Sequence, residues 1–263
     1  MPELPDVEAV IDRIKGDVLR EIFKDVEIFI PDPIQLPSWP EFKERLVGAK
    51  ILDIWRRGKF ILFPLSNGFT FIVHLRMTGN LIYCDPQEEI HKHTRVVFTF
   101  ENGKQLRFID QRKLGKMYVV PDEDFSGIKA LYTMGPEPLS EDFTLDVFNE
   151  LLKKRKGRIK SLLMDQSFIA GIGNVYGDVI LWQAKIHPQR RVDELNSAEI
   201  RGLFHSIKEV LHESVRNYYS IHERPDWFLM GRREGICPRC AYPLDAVKIQ
   251  GRYSHFCPRC QPR

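Results

Sequence analysis

FILFPLSNGFTFIVHL, residues 60–75 of this chain, contains two apolar runs on either side of the turn signal Ser66-Asn67-Gly68. Short runs of apolar, aromatic and β-branched residues bounded by turn residues are typical of β-strands. The pattern returns over residues 95–109, where Glu101-Asn102-Gly103 separates two more runs. We therefore expect a β-sandwich or barrel over residues 22–120.

Helical patterns flank this strand-rich region on both sides. Before it, apolar residues recur at helical spacing over residues 5–19. After it, residues 121–140 are rich in Pro, Asp, Glu and Gly, a composition typical of a linker. Four more helices, one of them inside the strand-rich region, are predicted at residues 41–47, 144–165, 174–184 and 197–219. The chain is thus predicted to be an α+β protein with two domains.

Four of the five cysteines form one pattern near the end of the sequence. Cys237 and Cys240 make one CxxC pair, and Cys257 and Cys260 make a second after sixteen intervening residues. This spacing is typical of a four-thiolate zinc site, with two disulfides as the alternative. Because disulfides are rare inside cells, we expect one structural Zn²⁺ ion with four protein ligands. Cys84, in a separate apolar stretch, is expected to be a buried thiol.

The composition is that of a globular protein, with 43% hydrophobic and 29% charged residues. No apolar run approaches the roughly 20 residues that span a bilayer, and no secretory signal pattern is present. These absences argue against a membrane protein and favour a cytoplasmic location. The charge is uneven, with a net −6 over residues 1–150 and +9 over residues 151–263. A positive half fits a polyanion partner, although a solvated basic surface explains it equally well.

The sequence begins Met1-Pro2-Glu3-Leu4-Pro5-Asp6-Val7-Glu8. A small residue after the initiator methionine permits its removal, which leaves the secondary amine of Pro2 at the N-terminus. An α-amino group titrates near ~7.7–8.0, so much of this amine is unprotonated at neutral pH and can act as a nucleophile. Glu3 beside it can transfer protons. Taken alone, these residues are explained better by a stiff helix entrance with a favourable dipole charge.

The N-terminal octapeptide and four further groups of residues together resemble the formamidopyrimidine-DNA glycosylase / endonuclease VIII family. The further groups are similar to the family's lysine-bearing strand, its two lesion-probing loops, its helix-two-turn-helix and the end of its zinc finger, in the family's order. The strand reads RRGKF (56–60), and the two loops read HLRMTG (74–79) and DQRKLG (110–115). The helix-two-turn-helix includes DQ (165–166), GIGN (171–174) and IHP (186–188), and the zinc finger ends with GR (251–252) and FCPRCQ (256–261).

This resemblance implies a DNA-repair enzyme that removes damaged bases and cuts the strand. It implies that Pro2 attacks deoxyribose C1′ and that Glu3 is the acid. Lys59 would be a second proton donor during elimination, with a solvent-exposed strand lysine as the alternative. Arg252, at the tip of the finger, would contact phosphate and assist the second elimination. An ordinary finger arginine is its alternative.

The resemblance also assigns residues that fill the gap left by an extruded base. Extrusion costs a few kcal/mol of unstacking, and an inserted side chain replaces the base. Met77, Arg112 and Leu114 match the family's wedge residues, although Met77 and Leu114 taken singly fit core packing. Arg95 and Lys113 match family positions that contact phosphate.

Residues 153–160 read KKRKGRIK and supply six cations in eight positions. On one predicted helix, Lys156 and Lys160 are four residues apart and share a face. With Asn174 and the backbone N–H groups of residues 171–173, they are predicted to clamp a DNA phosphate. A solvated surface role is the alternative for any one of these lysines.

Three positions depart from the family pattern. Asp6 stands where the family usually has glutamate, and Val179 stands where it usually has a carboxylate near the reaction centre. Residues 220–228 do not resemble the glycine-rich loop that caps oxidised guanine, and Trp227 and Phe228 are expected to anchor the finger rather than stack on a base. These departures weaken 8-oxoguanine as a substrate more than they weaken chemistry at the sugar.

We therefore expect a monomeric DNA glycosylase and AP lyase that acts on double-stranded DNA with damaged, chiefly oxidised, bases or abasic sites. It would be cytoplasmic, and nucleoid-associated if bacterial. The predicted parts are an N-terminal catalytic β-sandwich domain with its helix (1–122), a linker (123–142), a helix-two-turn-helix domain (143–230) and a zinc finger (231–263).

Two other functions fit the same sequence. A lesion- or structure-sensing protein of this fold with weak or lost excision is suggested by Val179 and the altered capping stretch. A zinc-ribbon nucleic-acid adaptor is the second, but an adaptor has no use for the free imino terminus that Pro2 would supply.

Overall fold

The computed structural model describes residues 1–217 and 235–263, which divide into two compact units. We call them the β unit and the helical unit. The β unit comprises Met1–Pro2 and Asp6–Tyr132, and the helical unit comprises Glu3–Pro5 and the described residues from Thr133 to Arg263. No helix among the described residues is long and apolar enough to cross a membrane.

The β unit contains nine strands and three helices. The helices are α1 (Leu4–Val18), whose first residues belong to the helical unit, α2 (Trp39–Leu46) and α3 (Lys129–Tyr132). The strands are β1 (Phe23–Ile28), β2 (Ile34–Leu36), β3 (Trp55–Arg57), β4 (Phe60–Pro64), β5 (Phe69–His74), β6 (Gly79–Cys84), β7 (Thr94–Phe100), β8 (Gln105–Asp110) and β9 (Lys116–Pro121).

These strands form two sheets that share one core, which confirms the predicted β-sandwich. The sheet orders are β1-β7-β8-β6 and β2-β9-β5-β4-β3, and all pairs are antiparallel except β2 with β9. Buried aromatic rings join the sheets. The ring centroid of Phe71 on β5 lies 5.2 Å from that of Phe98 on β7 and 6.2 Å from that of Phe23 on β1. Cys84 at the end of β6 is a buried free thiol, as expected.

Besides a 3-10 helix at Val192–Glu194, the described part of the helical unit contains four α-helices and a two-stranded hairpin. They are α4 (Leu145–Lys153), α5 (Ile159–Leu163), α6 (Asn174–Gln183), α7 (Ser197–Asn217), β10 (Asp245–Ile249) and β11 (Arg252–Phe256). The helices pack around a second apolar core that includes Phe148, Phe168 and Ile180. The predicted linker is not irregular throughout, because α3 lies inside it and the boundary between the units follows that helix.

The prediction of a single helix over residues 144–165 is wrong. The chain leaves the helix after α4 and re-enters it at α5, with Gly157 between them in the left-handed region (φ 104°). The break pairs with a distant segment, since Ile159 N–H donates to Arg190 O at 2.9 Å and Val192 N–H donates to Gly157 O at 2.9 Å. Glycine disfavours helix and permits this turn, so residues 156 and 160 do not share a helical face.

Candidate active site and nucleic-acid interface

The Glu3 side chain is held by the start of α6. It is buried, and its carboxylate accepts hydrogen bonds from three backbone N–H groups. Gly173 N–H donates at 2.6 Å, Val175 N–H at 3.0 Å and Tyr176 N–H at 3.2 Å. A helix N-terminus carries unpaired N–H groups and partial positive charge, which favour an anion. Glu3 is therefore fixed as a cap on α6, 170 positions away in sequence, rather than as a dipole partner of its own helix.

Two glycines make room for the N-terminal segment. A Cβ atom on Gly173 would lie 2.4 Å from Glu3 Cδ, and one on Gly171 would lie 2.7 Å from Leu4 Cβ. Gly171 also has a positive φ of 83°, which other residues rarely adopt. Leu4 N–H donates to Gly171 O at 3.0 Å. The sequence Gly171-Ile172-Gly173 is thus required by close approach of the N-terminus, and Pro2, which is half-buried, directly precedes this fixed segment.

Lys59 occupies the tight turn between β3 and β4 and is only 4% exposed, which does not fit a solvent-exposed strand lysine. His74, at the end of β5, is buried as well, and its Nδ1 accepts from Arg76 N–H at 3.0 Å. Burial, helped by the positive charges of Arg76 and Lys59, lowers the pKa of His74 to about 3. His74 is therefore neutral at physiological pH and serves as an acceptor directly before the loop that bears Met77.

The predicted wedge residues stand on two loops of the β unit. Met77 and Leu114 are each 42% exposed, which does not fit core packing. Arg112 is also exposed, and its Nη1 lies 3.3 Å from Met77 Sδ, so the two loops are adjacent. Arg95, predicted to contact phosphate, is instead nearly buried, and its Nε donates to Asp110 O at 2.7 Å.

Lys160 is fully buried and does not belong to the exposed basic surface. Its Nζ donates to Asp178 Oδ1 and to Asn174 O, each at 2.5 Å. Burial lowers the pKa of Lys160 while the Asp178 carboxylate opposes that effect. The predicted pairing of Lys156 and Lys160 in one phosphate clamp is therefore wrong, because only Lys156 faces solvent.

The start of α6 also holds the hairpin that bears Arg252. Asn174 Nδ2 donates to Tyr253 O at 3.0 Å, and Asp178 Oδ2 accepts from His255 N–H at 3.0 Å. The amide nitrogen predicted to bind phosphate thus contacts β11 here. Gln250 and Gly251 form the two-residue turn, both with positive φ, as tight hairpins require. Arg252 follows this turn and is exposed at the tip.

Four sulfurs meet in the helical unit. The Sγ atoms of Cys237, Cys240, Cys257 and Cys260 lie within 4.8 Å of one another, and none is in a disulfide. Tetrahedral zinc with Zn–S of about 2.3 Å sets sulfurs about 3.8 Å apart, and the Cys237–Cys260 and Cys240–Cys257 distances are 3.8 and 3.5 Å. The residues fit one structural Zn²⁺, as predicted.

One thiol of this cluster, that of Cys237, has a lowered pKa, which favours the thiolate form that binds a metal ion. Burial acts to raise the pKa of the Cys237 thiol, but hydrogen bonds outweigh it and lower that pKa to about 6. The donors are the Trp182 indole N–H, 3.3 Å from Cys237 Sγ, and backbone N–H groups of Arg239 and Cys240. Arg239 in turn lies 4.2 Å over the Trp182 ring, so α6 and the finger pack together.

Comparisons with known proteins match every part of this architecture. Residues 1–117 match the formamidopyrimidine-DNA glycosylase N-terminal domain, residues 134–224 its H2TH domain, and residues 236–263 the zinc finger found in FPG and IleRS. The formamidopyrimidine-DNA glycosylase of Desulforamulus reducens is 39% identical over 99% of each chain. The chain belongs to the formamidopyrimidine-DNA glycosylase family.

Solved structures of this family superpose closely on the chain. The Lactococcus lactis FPG protein in complex with FAPY-dG-containing DNA has a TM-score of 0.91 at 31% identity, with 99% of this chain and 100% of that chain covered. The same organism's FPG bound to DNA with an abasic site has a TM-score of 0.88, also at 31% identity and with the same coverage.

The departures from the formamidopyrimidine-DNA glycosylase pattern have different structural settings. Val179 has no carboxylate, and its side chain packs in the buried apolar core of the helical unit. Asp6 is half-exposed in the first turn of α1. The capping stretch with Trp227 and Phe228 lies outside the described residues.

Sequence reasoning missed two carboxylates that organise the site. Asp178 is the sole charged residue of the otherwise apolar helix α6, and a lone acid in such a helix is a signal for a buried partner. Asp110 ends β8 two residues before Arg112, and the sequence pattern assigned it no role of its own. Their partners Lys160, His255 and Thr78 could not be read from spacing, because these contacts join segments distant in sequence.

Proposed function

We propose that this chain, a DNA-repair glycosylase and AP lyase by its family, uses the Pro2 amine as the nucleophile on deoxyribose C1′. We further propose double-stranded DNA with formamidopyrimidine-type damaged bases or abasic sites as substrate, because the related Lactococcus lactis structures contain such DNA. A cytoplasmic, monomeric protein that meets DNA there is part of this proposal. Removal of Met1 is a condition of it, since a preceding residue would turn the amine into an amide.

The observation that carries the proposal is the position of Glu3. Three backbone N–H donors fix its carboxylate, and the residue before it is Pro2. A proton-transferring group must be held within hydrogen-bond reach of its target, and a nucleophile must be oriented. A chain terminus is usually frayed, so an N-terminus tied into the helical unit by Glu3 and Leu4 favours a catalytic role over a mere helix entrance.

The chemistry follows from an amine attacking a sugar carbon. The nitrogen lone pair of Pro2 bonds to C1′ while the N-glycosidic bond breaks, and the departing base takes the bonding electrons and a proton. Ring opening, with a proton from Glu3 to the ring oxygen, leaves an iminium. Loss of the C2′ proton expels the 3′ phosphate, and loss of the C4′ proton expels the 5′ phosphate. Water then releases the sugar fragment and restores the amine.

Other residues are assigned supporting roles. Lys59 and Arg252 would donate protons or neutralise phosphate during the eliminations. Met77, Arg112 and Leu114 would fill the gap left by the extruded base, and Lys113 and Lys156 would contact phosphate. Arg95 and Asn174, which donate to Asp110 O and Tyr253 O, would hold the neighbouring backbone in place. Lys160 would act through Asp178 and the start of α6, not through DNA. Bound zinc would stabilise the finger and supply no chemistry to the reaction.

Borohydride trapping tests the nucleophile. Borohydride reduces an iminium to a stable amine, so the protein should become covalently attached to abasic duplex DNA. Pro2→Gly should trap at least about tenfold more slowly, because it replaces the secondary amine with a less constrained primary amine. Pro5→Ala is the matched control and should trap at the wild-type rate. Intact-protein mass spectrometry must show loss of Met1, and a processed protein that forms no adduct overturns the proposal.

A lesion-sensing protein without excision is the second candidate, favoured by the apolar setting of Val179. It predicts tight binding to damaged duplexes with no base release across a panel of oxidised, alkylated and mismatched bases. Turnover on any member of that panel dismisses it.

A further inference from the structure

The two loops that bear the predicted wedge residues, 75–78 and 111–115 and here called the wedge loops, are joined at their bases by one buried side chain. Asp110, the last residue of β8, is fully buried and pairs with Gly79 at the start of β6. Its Oδ1 accepts from the Thr78 hydroxyl in the first loop. In the second loop, Arg112 N–H donates to Oδ1 at 3.2 Å and Gly115 N–H to Oδ2 at 2.7 Å. One carboxylate thus binds donors from both loops.

The hydroxyl of Thr78 reinforces this link. Its Oγ1 accepts from Arg112 N–H at 3.0 Å while it donates to Asp110, so loop one touches loop two directly. The backbone oxygen of Asp110 accepts from Arg95 Nε at 2.7 Å. Charge-assisted hydrogen bonds of this kind are stronger than neutral ones, and a buried acceptor without them is costly. The arrangement therefore fixes the loops relative to each other.

Both loops hold a strained backbone that needs such support. Arg76 and Lys113 each have a φ of 56°, in the left-handed region, and each directly precedes a wedge residue. A non-glycine residue there persists only where its surroundings enforce it. Met77 and Leu114 are consequently aimed outward by the turns before them, and the carboxylate lies behind both turns.

We propose that Asp110 is a positioning residue that holds Met77, Arg112 and Leu114 ready for insertion into the DNA stack. This rests on the proposed function, because insertion matters only where a base is extruded. Asp110 would govern the opening of the duplex and have no part in the attack at C1′. Unstacking is costly, so loosely held side chains would insert slowly.

Insertion can be measured apart from chemistry. A duplex with 2-aminopurine next to the lesion brightens when the wedge unstacks it, and stopped-flow fluorescence follows the rate. Asp110→Asn and Thr78→Val should slow this rise about tenfold, since each removes a charge-assisted bond. Thr78→Ser retains the hydroxyl and should restore the wild-type rate. Asp85→Asn, which breaks an exposed ion pair with Lys104 just beyond the far ends of β6 and β8, is the matched control and should match wild type.

Borohydride trapping on an abasic site opposite a one-nucleotide gap provides the second readout, because little must be unstacked there. Trapping by the Asp110 and Thr78 variants should stay within about twofold of wild type. A fluorescence rise at the wild-type rate in both variants overturns the inference. An equal loss in both assays also overturns it, since the defect would then lie in folding or the reaction centre. Failure of the wild type to trap at all would instead contradict the proposed nucleophile.

Discussion

The wedge loops and the start of α6 are each organised around one buried carboxylate, yet they use it in opposite ways. Asp110 accepts bonds from the Thr78 hydroxyl and two backbone N–H groups, and the residues that would contact DNA are its exposed neighbours. Glu3 accepts three backbone N–H bonds and is itself the group assigned to chemistry. A buried carboxylate that accepts backbone hydrogen bonds can therefore either hold neighbouring side chains in place or itself be held in place for a catalytic role.

Displacing the Glu3 carboxylate from the start of α6 should have the largest effect on activity. In Gly173→Ala, the new Cβ would lie 2.4 Å from Glu3 Cδ and expel the carboxylate. We expect borohydride trapping and base release to fall by roughly 100-fold or more, as for loss of a positioned acid. Gly202→Ala, with open space around its Cβ on α7, is the control and should leave both rates unchanged. Retained activity in Gly173→Ala would mean that Glu3 is not the working acid.

His74 extends the comparison to a third buried acceptor, and this one is neutral at physiological pH. Its folded pKa of about 3 lies below the ordinary 6.5, so the unfolded chain takes up the proton first as pH falls. Stability is therefore lost progressively below about pH 6.5. Between about pH 7 and pH 5, wild type should lose about 2 kcal/mol more than His74→Asn, which keeps an acceptor but cannot titrate.

Urea unfolding at each pH measures this difference. His212→Asn, at an exposed position on α7, is the control and should follow the wild-type pH dependence. Equal pH slopes for wild type and His74→Asn would show that His74 is protonated in the folded chain.

The smallest effect is expected at the surface. Lys156 is exposed between α4 and α5, so Lys156→Ala should remove one phosphate contact. The slope of log affinity against log salt should then fall by about 1, with binding weakened roughly equally for damaged and undamaged duplexes. Lys24→Ala, an exposed lysine on β1 with no assigned DNA role, is the control. An unchanged salt slope would place Lys156 away from DNA.

Much of the fold was readable from local patterns. The strands around Ser66-Asn67-Gly68, the N-terminal helix and the four-cysteine cluster each follow from spacing or periodicity over a few residues. The break at Gly157 was not foreseen, because helical spacing continues across residues 144–165 while the pairing that interrupts it comes from Arg190 and Val192.

The site was less readable than the fold. Lys160 looked like one cation of a solvated run, but its partner Asp178 lies eighteen positions away and turns it into a buried ion pair. Glu3 looked like the first acid of α1, but its donors belong to α6. Hydropathy and charge patterns report a residue's own character, whereas these roles depend on which distant backbone groups the fold brings to it.

The bonds to Glu3 come from the main chain, and this bears on which sequences can carry the same site. Every residue except proline has a backbone N–H, so Val175 can be exchanged for many other side chains without removing a donor. Of the three donors, Gly173 is restricted by the space that Glu3 occupies, and Tyr176 by its burial in the apolar core. The hydrogen bonds that hold the Glu3 carboxylate thus tolerate substitutions in the surrounding sequence. Divergent members of the family could retain these bonds while the rest of α6 changes.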